Sequence, residues 1–173
     1  MLQLVERTLP YGRGIFDDFT RGHTVSVLRL LHYPPPPSSH HAADGRKQLG
    51  AGAHTDFGAI TLLLQDEHPG LEVLDPRTGE FAAVDPCPDT FVFNVGDMLS
   101  VWTGGEYKSS VHRVINKAAA DRYSAAFFYD GALDCPLLPL DGAGAAAREG
   151  EVLTVEKHML KRISESYGPK RDN

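Results

Sequence analysis

Cysteine is scarce in this sequence: Cys87 and Cys135 are the only two among 173 residues, and each stands beside a proline. Two thiols do not make a disulfide framework, and reduced thiols in a cytosolic protein are the expectation. Basic charge is scarce as well. Lys and Arg number 17 against 23 Asp and Glu, a formal net charge of −6 with a pI near 5.7. Without a basic stripe, nucleic acid or an anionic membrane is not the expected main partner. No apolar run approaches the ~20 residues of a membrane span. The opening residues MLQLVERTLPYGRG lack the basic-then-apolar order of a signal peptide. The expectation is a cytoplasmic protein.

What is there suits one domain with a sizeable core: 42% of the residues are apolar. Met1–Phe19 reads as a short helix and a turn. His23–Tyr33 reads as a strand, with Val25, Val27 and Leu31 alternating against Thr24, Ser26 and His32, ended by Pro34–Pro37. Pro34–Gln48 is a polar, proline-rich loop. Gly50–Asp56 and Ala59–Gln65 read as strands around a bend at Phe57-Gly58. Leu71–Leu74 and Glu80–Val84 flank a turn and predict a hairpin. Thr90–Val95, Met98–Trp102, Ser110–Asn116 and Arg122–Tyr129 are further strand candidates. Gly142–Ala147 is a Gly/Ala loop. Val155–Ser166 carries Val155, Met159, Leu160 and Ile163 at helical spacing, stopped by Gly168-Pro169. Many short strands with regular turns predict a mainly β fold, a double-sheet jelly roll of the cupin kind, with a C-terminal helix.

The chemistry concentrates in GAHTDFGAITLLL, residues 52–64. Positions i and i+2 of a strand share a face, so His54 and Asp56 can converge on one point. Together they make two-thirds of a two-His, one-carboxylate metal site, which leaves one face of the metal open. His112, in SSVHRV, is the best third ligand. Ten residues later Arg122 and Ser124 form another i, i+2 pair, and an arginine fork beside a hydroxyl suits a carboxylate. Each residue has a plainer reading. Asp56 alone could cap a turn, His112 could be a satisfied core group, and Arg122 could sit in a surface ion pair. His40-His41 reads as solvated loop, and Asn94–Asp97 as a structural turn.

The stretches LRLLHYP, GAHTDFGAITLLLQD, HPGLEV, FVFNVGDMLSVWTGGEYKSSVHRV and RYSAAFFY resemble the non-haem Fe(II)- and 2-oxoglutarate-dependent dioxygenases, in the isopenicillin N synthase-like branch. They run in that family's order over Val25–Tyr129. The resemblance implies a jelly roll in which His54, Asp56 and His112 hold Fe(II). It implies that Arg122 and Ser124 take the far carboxylate of 2-oxoglutarate and that Tyr33 helps hold it. Some relatives carry an asparagine two residues before that tyrosine, where this chain has Leu31. Phe57 and Phe128 are candidates to face the substrate. With 2-oxoglutarate and O2 as cosubstrates, the implied reaction couples oxidative decarboxylation to hydroxylation, desaturation or cyclisation of a small organic molecule, as in secondary metabolism. Two other readings stand beside it: an oxidase of the same fold that uses no oxo acid, and a catalytically silent metal- or ligand-binding jelly-roll fragment. The family's helical region is longer than residues 1–24, which read as its remnant. The jelly-roll core is then 25–140, with a loop and packing helix over 141–173. Self-association is expected if apolar sheet surface is left uncovered.

Overall fold

The computed structural model describes residues 1–35, 50–116, 118–141 and 152–167. His40-His41, Gly142–Ala147 and the Gly168-Pro169 stop fall outside these. In chain order the elements are α1 (Leu2–Glu6), α2 (Asp17–Thr20), β1 (Thr24–Tyr33), β2 (Ala51–His54), β3 (Ile60–Gln65), β4 (Leu71–Asp75), β5 (Glu80–Ala83), β6 (Val92–Val95), α3 (Asp97–Trp102), β7 (His112–Val114), β8 (Arg122–Ala132) and α4 (Val155–Tyr167).

The strands form two four-stranded antiparallel sheets, ordered β1-β8-β3-β6 and β2-β7-β4-β5. The result is the expected double-stranded β-helix with a C-terminal helix. The predicted hairpin is β4–β5, with Asp75 opposite Glu80. Alternation explains which side chains enter the barrel. Val27, Arg29, Leu31 and Tyr33 of β1 line its interior together with Arg122, Ser124, Ala126 and Phe128 of β8. The alternate residues Leu28 and Leu30 are exposed on the outside, 61% and 78%.

Met98–Trp102 is not a strand but most of helix α3. The predicted strand fails because Met98, Leu99 and Trp102 are all buried, a helical spacing that period-two alternation cannot produce. These three pack with Leu2, Val5, Phe16 and Phe19 of the N-terminal segment, Leu137, and Val155 of α4. Phe19 sets its ring edge-on to Trp102 at 4.6 Å. Burying each such side chain contributes roughly 1.5–3 kcal/mol, so this cluster anchors the N-terminal segment and the start of α4 to the first sheet.

Helix α4 lies against the barrel, but not by the whole expected stripe. Val155 is fully buried, whereas Leu160 is 60% and Ile163 44% exposed. The barrel-facing positions also include His158 and Arg162, because both find polar partners there.

Candidate metal centre and cosubstrate pocket

His54 and His112 face each other across β2 and β7 as a cross-strand pair, with ring centroids 4.4 Å apart. Asp56 lies past the end of β2, so a shared strand face is not what brings it to His54. The loop is instead held by the start of α3. Asp97 N–H donates to the Asp56 carbonyl at 2.8 Å, and Met98 N–H to the Gly58 carbonyl at 3.1 Å. Gly96 is required at this approach: a Cβ there would lie 2.2 Å from the Gly58 carbonyl oxygen.

The donor set is oriented for a metal. Nδ1 of His54 donates to the Gly52 carbonyl at 2.7 Å, and Nδ1 of His112 to the Ser110 carbonyl at 3.0 Å. Both bonds fix the tautomer that leaves Nε2 as a bare lone pair, the arrangement metal-ligating histidines use. Asp56 is buried. Its Oδ2 accepts from Thr61 Oγ1 at 2.6 Å and Asn94 Nδ2 at 2.8 Å. Its Oδ1 faces both histidines, 3.7 Å from each Nε2. The three ligand atoms all lie within 4.8 Å of one another. Nitrogen and carboxylate donors from three residues match the facial triad of non-haem Fe(II).

The triad opens into a cavity of about 820 Å³. Arg122 and Ser124 lie in its wall, as does Tyr33. Arg122 is fully buried. Its Nε donates to the His68 carbonyl at 3.1 Å and its Nη2 to Gln65 Oε1 at 2.8 Å. Nη1 is buried with no hydrogen-bond partner among the described residues. Burial pulls the guanidinium below its ordinary pKa, while Tyr33 and Asp66 oppose that shift. Tyr33 packs beside it, with the Arg122 Cζ 5.1 Å from the ring centre. Gly50 makes room for that ring, since a Cβ there would lie 2.5 Å from Tyr33 Cδ1. Asn116 ties the end of β1 to the start of β8 by donating to the Tyr33, Pro34 and Ala120 carbonyls.

Phe57 and Phe128 both line the cavity, as do Met159, Ile163 and Ser166 of α4. Arg162 of α4 reaches Asp97 at 2.9 Å, bonds Thr55 Oγ1 at 3.1 Å, and lies over the Phe57 ring at 4.8 Å. Sequence reasoning missed Thr61, Asn94, Asp130 and the α4 residues. The alternation of β8 could have found Asp130, four residues past Ala126 on the same parity. Its carboxyl is pushed up to about 6 by burial and by the nearby Asp56.

This chain belongs to the 2OG-Fe(II) oxygenase superfamily, whose family model matches residues 24–131. It is 56% identical over 170 residues to the 2-oxoglutarate-dependent dioxygenase citB of Monascus ruber, covering 98% of this chain and 51% of the relative. It is 52% identical over 169 residues to clavatol oxidase claD of Penicillium crustosum, covering 96% of this chain and 49% of the relative. The chain thus spans about half the length of the curated relatives it matches. Among solved structures, a full-length Neurospora crassa protein in complex with alpha-KG and thymine aligns with a TM-score of 0.73 at 35% identity, over 88% of this chain and 47% of that one. A 2OG-Fe(II) oxygenase family protein of Caulobacter crescentus aligns at 0.76 and 37% identity, over 95% of this chain and 53% of that one.

Proposed function

We propose that this chain is the catalytic core of an iron oxygenase that couples oxidative decarboxylation of 2-oxoglutarate to hydroxylation of a small organic molecule, with desaturation or cyclisation as variants. One observation carries the reading: Nη1 of fully buried Arg122, without a partner among the described residues, beside Ser124, in the wall of the cavity that holds the triad. A buried N–H of a charged group without an acceptor costs free energy, and a carboxylate there would satisfy it. The guanidinium fork is divided. Nε and Nη2 are held by His68 and Gln65, which fixes the direction of Nη1. Tyr33 closes the other side. Fe(II) held by His54, Asp56 and His112 would supply the oxidative chemistry, with O2 as second cosubstrate. The protein's own part is to orient the oxo acid and exclude water around it.

The test is a 2-oxoglutarate titration of iron-loaded protein with succinate as readout. Arg122→Lys should weaken cosubstrate affinity ten- to hundredfold, since a hydrogen bond to a charged group contributes roughly 1.5–3 kcal/mol. Ser124→Ala should cost about 1 kcal/mol. Iron occupancy should hold in both. If neither variant shifts the titration, the distal carboxylate is bound elsewhere.

The finer placement is also ours. The sequence motifs support the isopenicillin N synthase-like branch, and similarity to the clavatol oxidase supports a role in secondary metabolism. No described helix is long and apolar enough to cross a membrane; we place the protein in the cytoplasm on its few cysteines and acidic charge. Exposed Leu28, Leu30 and Leu64 on the outer face of the first sheet support self-association.

A further inference from the structure

Asp130 is 4% exposed and lines the cavity with Asp56, Phe57 and Phe128. Its position is built by two departures from a regular strand and one close fit. Val25 pairs with Gly131 and Ser26 with Tyr129, so Asp130 has no residue opposite it; such a bulge re-aims a side chain. Gly131 adopts φ +69°, and a Cβ there would meet the Phe19 ring at 2.0 Å. On the other side the carboxylate lies on Gly58, where a Cβ would fall 2.1 Å from Asp130 Oδ1. The chain therefore gives up side chains at two positions to seat this group.

Among the described residues Asp130 has no hydrogen bond and no ion pair, and it is not one of the three clustered ligands. Its carboxylate oxygens are not among the fully enclosed atoms that lack a partner, so they keep access to the cavity that Asp130 lines. The proposed cosubstrate site, at Arg122 and Ser124, lies at the other end of β8. The acceptor faces the remaining volume of the cavity, walled by Phe57, Phe128, Met159 and Ile163. That wall suits a flat apolar body, and a single carboxylate in it selects for a hydrogen-bond donor.

We propose that Asp130 is a substrate-recognition residue whose carboxylate accepts a hydrogen bond from a hydroxyl or ring N–H of the prime substrate. The substrate class is a small neutral ring compound bearing such a donor, a phenol or a cyclic amide. Its fully alkylated ether or N-alkyl counterpart is disfavoured, because it would leave the carboxylate unpaired. This rests on the oxygenase reading only for calling the ligand a substrate.

The test uses two matched probe pairs: resorcinol against its dimethyl ether, and thymine against its N,N-dimethyl derivative. Binding is measured by calorimetry under argon, on iron-loaded protein with and without 2-oxoglutarate. Wild type should bind the donor-bearing member of at least one pair about tenfold or more tightly. Asp130→Asn should narrow that ratio, and Asp130→Leu should abolish it, with iron and 2-oxoglutarate titrations unchanged. Asp130→Asn is nearly isosteric and guards against misfolding of the leucine variant. A wild type with no preference in either pair, or variants that keep the wild-type ratio, would overturn the assignment. Failure of 2-oxoglutarate to bind wild type sinks the oxygenase reading instead, while the donor ratio in its absence still decides the role of Asp130.

Discussion

Asp56 shows how a ligand is made single-pointed. Two donors, Thr61 and Asn94, occupy Oδ2, so only Oδ1 is offered towards the histidines. Asp56→Ala should abolish iron binding. Asn94→Ala should weaken it by 10–100-fold, the usual cost of removing an outer partner of a metal ligand. Iron titration of both variants checks this, and an Asn94 variant with wild-type affinity would leave Thr61 as the sole orienting partner. The triad itself was legible because histidine and aspartate are chemically distinctive and their motif contexts are specific. Asn94 read only as part of a turn, since an amide announces no partner in sequence. Asp130 escaped for a different reason: it shares the cavity-facing parity of β8, but alternation says nothing of Gly58 and Gly131, which seat it.

Helix α4 is joined to the metal-ligand loop by polar contacts more than by its apolar stripe. Its buried His158 donates Nε2–H to the Phe57 carbonyl at 3.0 Å, and Arg162 spans Thr55, Asp97 and Glu165. Burial lowers the His158 pKa from 6.5, with only partial compensation from Phe57 and Asp97. A histidine depressed in the folded state takes up its proton more readily when unfolded. Its contribution is therefore complete above about 6.5 and is lost as pH falls below that value. Thermal melts should show α4 loosening on acidification from pH 7 to 5.5, and His158→Gln should flatten that part of the profile. Arg162→Ala should lower stability by about 1 kcal/mol or more and raise hydrogen exchange over residues 155–166. Helix α4 could be seen in sequence by its length. The six-residue α3 could not, because a short apolar run fits strand or helix equally until its neighbours are known.

At the scale of the whole molecule, the jelly roll was legible from its succession of short strands and turns, whereas sheet order was not, because pairing joins residues far apart in the chain. The outer face of β1, β8 and β3 carries exposed Leu28, Leu30, Leu64 and Tyr123. Replacing Leu30 and Leu64 with Lys should shift the protein towards monomer in sedimentation, and an unchanged distribution would exclude this face as the contact. A last consequence follows from the cross-strand pairing of His54 with His112. Among the described residues, strand β2 is the four-residue edge of its sheet and pairs there only with β7. Fe(II) bound by both strands and by Asp56 would rivet that edge in place, and binding that favours the folded form stabilises it in proportion to metal supply. The iron level of the surroundings would then govern how long the chain survives proteases as well as how fast it turns over, with the first cuts in starved protein falling beside β2.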